Sequence, residues 1–152
     1  MIDVKKLDKT FDGKTILSNI NFSVSTGQSV AIVGKSGAGK SVLLKCLIGL
    51  LKPDDGMIYI DNKLINSMNF QQLQNIRSKI GMVFQFGALF DSLTVAENIS
   101  LALQKLTKLN EQEIHDRVKN SLNSVDMADT GSLMPSELSG GMKKRVGIAR
   151  AI

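Results

Sequence analysis

"VGKSGAGKS", Val33 to Ser41, decides the fold. Residues 34–41 satisfy the pattern G-x-x-x-x-G-K-[ST]. Gly34, Gly37 and Gly39 permit backbone conformations that aim successive N–H groups at one point. Lys35, Ser36 and Ala38 lie between them and add their own amides to the same cradle. A helix beginning straight after the loop supplies free donors and the positive end of its dipole. Lys40 brings a mobile positive charge for β- and γ-phosphates, Ser41 a hydroxyl for Mg²⁺, and Val42 follows directly. A plain glycine-rich turn has similar composition, so context decides. "SVAIV" (29–33) predicts a buried parallel strand entering the loop, and "KSVLLKCLIGLL" (40–51) a buried helix leaving it. The motif points to nucleotide phosphate without choosing among kinases, GTPases and transport or motor ATPases.

Working outward, "IDVKKL" (2–7) reads as an edge strand and "FDGK" (11–14) as a turn. "TILSNINFSV" (15–24) follows as a second strand with Ile20, Phe22 and Val24 on one face. "PDDG" (53–56) breaks the first helix, "MIYI" (57–60) is a strand, residues 69–78 form a polar helix, and "IGMVF" (80–84) reads as another buried strand. The pattern then becomes helical. Thr94 and Glu97 have capping-box spacing for a helix over 95–103, and Asn110 and Glu113 repeat it for the next. In that next helix Ile114, Val118, Leu122 and Val125 make one apolar stripe. "SELSGG" (136–141) leads into a final basic helix.

The bulk properties fit this outline. A chain of 152 residues with 43% apolar and 22% charged content suits one globular domain. A single cysteine, Cys46 in an apolar run, excludes an internal disulfide and reads as a small buried hydrophobe. The net charge of +5 is scattered, and no basic stripe alternates with aromatics, so a nucleic-acid partner is not expected. No secretory leader is visible, and no apolar run is long enough to cross a bilayer, which places the expected protein in the cytoplasm.

"LSGGM" (138–142), within "LMPSELSGGMKKRVGIARAI", resembles the signature of the ATP-binding-cassette (ABC) ATPases, and "GMVFQ" (81–85) resembles the strand leading to that family's Q-loop. The order of phosphate loop, Q-loop, helical insertion and signature is also the family's. Ser139 is suited to cap the last helix, leaving the amides of Gly140 and Gly141 open to an anion. The resemblance implies an α/β P-loop NTPase (RecA-like) core with N-terminal antiparallel strands and a helical subdomain. Core residues would be 1–85 and 142–152, and the helical and signature part 86–141. It implies ATP and Mg²⁺ as cofactors, with Lys40, Ser41 and Gln85 acting in cis and Gln85 reaching the ion or the attacking water. Ser139, Gly140 and Gly141 would act in trans on nucleotide held by the other copy in a homodimer. Phe11 occupies the place of an aromatic that stacks on adenine, although a Phe in a turn also serves as a core plug. Phe86, Leu89 and Phe90 follow the Q-loop, where a membrane permease docks, or else pack the helical insertion.

"FQFGALFDSLTVAENI" (84–99) most resembles the ATPases of Mla- and Mce-type lipid systems. That implies a peripheral subunit on the cytoplasmic face of the inner (plasma) membrane, powering phospholipid transport. The family continues into an aliphatic strand ending Asp-Glu, then a switch histidine. No such strand occurs in this sequence, and His115 lies on the wrong side of the signature, where a surface role is expected. The chain is therefore expected to be incomplete at its C-terminus, to bind ATP and to hydrolyse it poorly by itself. A non-catalytic ATP-binding module and a soluble non-transport ABC ATPase are the rival readings.

Overall fold

The computed structural model describes residues 1–85 and 87–152. They fall into two compact units, Met1–Lys79 and Ile80–Ile152.

The first unit is built on a four-stranded antiparallel sheet in the order β2-β1-β3-β4. Its strands are β1 (Ile2–Phe11), β2 (Lys14–Val24), β3 (Asp55–Ile60) and β4 (Lys63–Leu64). Asp12 and Gly13 join β1 to β2 with φ of 47° and 75°, the left-handed pair that suits the twist of a two-residue hairpin. The β1–β2 register slips at Lys6 and at Asn19, each with φ 49°. These bulges remove two N–H groups from the ladder, and side chains recover both. Lys6 donates to Asn21 Oδ1 and Asn19 to Asp8 Oδ1, each at 2.8 Å. Gly56 of β3 lies against the Lys6 bulge, where a Cβ would collide with the Lys6 carbonyl oxygen.

Two helices complete this unit, α1 (Lys40–Leu47) and α2 (Phe70–Arg77). The expected helix over 40–51 stops early because Gly49 (φ 67°) reverses the chain. Gly49 and Leu50 donate to the carbonyls of Cys46 and Lys45, both at 2.9 Å, which is the Schellman arrangement. Arg77 from α2 covers two more carbonyls there, those of Ile48 (3.0 Å) and Gly49 (2.6 Å). The helix is not buried all round: Leu43, Cys46 and Leu47 face inward and Leu44 faces out. Val4, Leu7, Leu17, Ile58 and Ile60 are buried as well. Each large apolar side chain taken out of water contributes about 1.5–3 kcal/mol. Cys46 is fully buried, and that burial pushes its thiol pKa up.

The second unit comprises α3 (Val95–Leu106), α4 (Glu111–Asn123) and α5 (Gly140–Ala151), with single 3₁₀ turns at Ala128–Thr130 and Pro135–Glu137. Both expected capping boxes form, Thr94 with Glu97 and Asn110 with Glu113. The Ile114–Val118–Leu122 stripe joins Val95, Ile99, Met127, Leu138, Val146 and Ala149 in one core. Val125 lies past the end of α4 and packs on that core partly buried.

Two expectations need correction. Residues 29–33 and 80–84 are not strands. Neither segment has a ladder partner among the described residues, and without one an extended β-branched run is only loop. Their apolar side chains are correspondingly uncovered: Val33 is 92% exposed, and Val30, Ile32, Val83 and Phe84 are exposed too.

Candidate nucleotide site

The phosphate loop runs into α1 through Gly39, the helix N-cap, with φ 87° and ψ 2°. Gly39 is buried. A Cβ there would lie 2.9 Å from Ile16 Cγ2 and 3.0 Å from the Ile16 carbonyl oxygen. Ile16 is the residue that the last β1–β2 slip, between Lys9 and Thr10, leaves unpaired, so a bulge in β2 receives the end of the loop. Gly37 also needs the left-handed region (φ 79°) but has open space around it. Gly34 uses an ordinary φ, and a Cβ there would meet Ala38 only at 3.4 Å. Of the three loop glycines, the chain's own geometry therefore demands two.

Between them, Ala38 N–H donates to the Lys35 carbonyl at 3.2 Å. Lys35, Ser36, Gly37 and Ala38 are exposed, as is Ser41. The Lys40 ammonium folds back over the loop and donates to the carbonyls of Gly34 and Lys35, both at 2.7 Å. An ammonium has three donors, so fixing two of them fixes the direction of the third. Gly39 O accepts the first helical bond, from Leu43 at 2.9 Å. The N–H groups of Lys40, Ser41 and Val42 have no intrahelical acceptor. Left-handed glycines, an oriented ammonium and free helix-start amides are the groups a triphosphate requires. Among the described residues no three His, Cys, Asp or Glu side chains gather as a metal cage. A Mg²⁺ ion fits this donor set in the way it binds beside phosphates, with the Ser41 hydroxyl as a protein ligand and phosphate oxygens and water as the rest. Phe11 ends β1 at the hairpin and is 40% exposed, so it is not a core plug.

In the second unit Gln85 is exposed. Just after it, Gly87 (φ 78°) lies directly on α5, where a Cβ would be 2.5 Å from the Lys143 carbonyl oxygen. Gly147 of α5 makes this approach possible, since its own Cβ would be 3.0 Å from Gly87 Cα. Arg150 fastens the same segment through Nη1 to Ala88 O and Nη2 to Gly87 O, both at 2.7 Å. Burial pulls the Arg150 pKa down, and carbonyl dipoles rather than a carboxylate hold its charge. Ser139 caps α5 as expected, its Oγ accepting from Met142 N–H at 3.2 Å. A Cβ at Gly140 would meet nothing within 4 Å, and one at Gly141 only Ser139 Oγ at 4.0 Å. The helix start is thus open to an approaching group, and packing within the chain does not require glycine there.

Leu89 packs against the helical core, whereas Phe90 is 54% exposed. Phe86 lies outside the described residues. His115 is exposed, as expected. Four supporting residues carried no readable signal. Asn98 is 1% exposed and ties Phe90, Leu93 and Thr94 together. Arg150 pins the Gln85 segment, and Lys9 and Asp54 meet beside Phe11. Arg150 bonds backbone 62 and 63 positions away and Lys9 meets the Asp54 carboxylate 45 positions away, while Asn98 bonds the irregular loop just before it, so none follows a regular spacing. Among the described residues no helix is long and apolar enough to cross a membrane.

Comparison with known proteins gives a consistent answer. The profile described as "ABC transporter" matches residues 17–152. The chain is 40% identical over 153 residues to protein TRIGALACTOSYLDIACYLGLYCEROL 3, chloroplastic, of Arabidopsis thaliana, covering all of this chain and 44% of that protein. It is 41% identical over 152 residues to the methionine import ATP-binding protein MetN of Legionella pneumophila (strain Lens), with the same coverage of 100% and 44%. The chain therefore spans less than half the length of these relatives. Among solved structures it superposes on a dimeric ATP-binding cassette, MJ0796, in a post-hydrolysis state bound to ADP and Pi. The TM-score is 0.92 at 36% identity, over 100% of this chain and 69% of that one. With the profile covering residues 17–152 and all of this chain superposing on part of a solved cassette, this protein belongs to the ABC transporter family.

Proposed function

We propose that the chain is the ATP-binding part of an ABC transporter ATPase that couples ATP binding and hydrolysis to phospholipid movement. One observation carries the nucleotide reading: Gly37 and Gly39 in left-handed conformations beside a Lys40 ammonium already oriented by two loop carbonyls. In this reading residues 34–42 hold the triphosphate, Phe11 takes the adenine, and the Ser41 hydroxyl binds Mg²⁺. Gln85 supplies the amide that senses the ion and the attacking water. Ser139, Gly140 and Gly141 present an open, capped helix start to ATP bound by a second copy, so the working form is a homodimer. In the longer protein this reading assigns 86–141 to the helical subdomain and 1–85 with 142–152 to the core, although in this chain α5 packs with α3 and α4. The exposed Phe90 belongs to the surface that meets an integral membrane permease, which keeps the subunit at the cytoplasmic face of the membrane.

Support for lipid cargo comes from the 84–99 segment and from the plant relative, whose name is that of a glycolipid. The MetN relative, named for methionine import, supplies the competing cargo. The nucleotide reading is tested by titrating Mg-ATP into the chain and its Lys40→Met variant. Loss of at least tenfold in affinity is expected, and unchanged affinity would remove the reading. Cargo is tested with the full-length subunit bound to its permease. Stimulation of ATP turnover by phospholipid vesicles and not by methionine supports lipid, and the reverse excludes it.

A further inference from the structure

We propose that Lys9 and Asp54 are positioning residues for adenine, fixing the Phe11 ring so that one face is backed by a cation and the other is free to take the base. The inference rests on the nucleotide reading of Phe11. The Lys9 ammonium lies over the Phe11 ring, 5.1 Å from its centroid, within cation–π range. It is not a loose surface charge. The Lys9 side chain is only 14% exposed, and its Nζ donates to Asp54 Oδ1 at 2.7 Å.

Asp54 ties down the backbone as well. Its second carboxylate oxygen accepts from Thr10 N–H at 2.7 Å, and its own N–H donates to the Asp8 carbonyl at 3.0 Å. Three consecutive residues, Asp8, Lys9 and Thr10, are therefore held immediately before Phe11. The β1–β2 register slips on both sides of Lys9, and such slips re-aim side chains. The Lys9 hydrogen bond and the Thr10 N–H hold the Asp54 carboxyl below the usual carboxylate range, so that carboxyl is charged at neutral pH.

The arrangement has a chemical consequence. A cation on one face draws π-density toward itself and leaves the opposite face better suited to an electron-rich purine. With one face occupied, the base has a single side on which to stack. The effect should therefore appear for ligands that carry a base and not for the phosphates alone.

The test titrates Mg-ATP and Mg-tripolyphosphate separately into the chain and three variants: Lys9→Met, Lys9→Arg and Phe11→Leu. Lys9→Met is expected to weaken ATP about fivefold while tripolyphosphate stays within twofold, and Lys9→Arg is expected to restore ATP affinity. Tripolyphosphate serves as the internal check on folding. If Phe11→Leu weakens ATP selectively and Lys9→Met does not, the positioning role is overturned and the Phe11 reading stands. If Phe11→Leu leaves the ATP-to-tripolyphosphate ratio unchanged, the underlying reading is overturned. Equal loss of both ligands in Lys9→Met makes Lys9 a general strut and overturns the proposal.

Discussion

Replacing Asn98 tests how the second unit holds the loop between the Q-loop segment and α3. Asn98 is 1% exposed, and its amide is fully used. Oδ1 accepts from Phe90 N–H at 2.7 Å, and Nδ2 donates to the carbonyls of Phe90 (3.1 Å), Leu93 (3.0 Å) and Thr94 (2.9 Å). Asn98→Ala removes all of these and leaves a small cavity. At about 1 kcal/mol net per neutral hydrogen bond, with the three contacts to one amino group counted as less than additive, the loss is about 2–4 kcal/mol. That is a large share of the roughly 5–15 kcal/mol that holds a domain together. In chains of this size it lowers Tm by about 6–12 °C.

Asn98→Asp sharpens the test. It keeps the acceptor for Phe90 N–H but turns its second oxygen toward three carbonyls, so the buried carboxylate is disfavoured and its pKa is raised. A folded pKa above the unfolded one gives stability that is present at low pH and lost as pH rises through the folded value. The variant should therefore be closer to the parent at pH 5 than at pH 8. The assay is urea unfolding followed by far-ultraviolet circular dichroism at both pH values. An Asn98→Ala variant within 0.5 kcal/mol of the parent, or an Asn98→Asp variant indifferent to pH, refutes the reasoning.

Gly39→Ala forces an L side chain into φ 87° and places its Cβ 2.9 Å from Ile16, so a loss of about 2–4 kcal/mol by urea unfolding and at least tenfold weaker tripolyphosphate binding are expected. Gly140→Ala has open space and should leave urea stability within about 0.5 kcal/mol. Lys6→Gly relieves a left-handed φ of 49° in β1 and should raise stability by about 0.5–1 kcal/mol in thermal melts. Asp54 and Glu97 both have lowered pKa values, Asp54 through its Lys9 and Thr10 bonds and Glu97 through Thr94. Their contribution is present above the unfolded carboxylate pKa, about 4, and is lost as pH falls through the lower folded values. Carboxyl NMR titration should place both midpoints below those of model peptides, and Asp54→Asn should reduce the acid dependence of unfolding.

What could be read in the sequence was what short-range physics settles. Thr94–Glu97 and Asn110–Glu113 close their boxes within one turn, and Ser139 caps α5 through Met142, three residues on. The Asp12–Gly13 hairpin and the 114–118–122 stripe are local in the same sense. Residues 29–33 and 80–84 have the composition of strands, but a strand is a relation between two segments, and composition names only one of them. Gly49 shortened α1 because a glycine inside an apolar run looks like core until its φ is known. Asp54 read only as part of a helix-breaking "PDDG", and its link to Lys9 spans 45 positions. In the candidate site, residue types were legible from the phosphate-loop and signature patterns. The left-handed turns at Gly37 and Gly39, the bulge behind Gly39 and the Arg150 tether required coordinates.

The sealed thiol of Cys46 gives the first unit a built-in clock. With one thiol in the whole chain, any adduct a thiol reagent leaves identifies its own location. A residue with no exposed surface and a reluctant thiolate reacts only during excursions that open α1 from its surroundings. The pace of mass gain under native conditions thus counts those excursions directly. A slower pace in the presence of a ligand would record how tightly that ligand shuts the helix beginning at Lys40, without a label or a mutation.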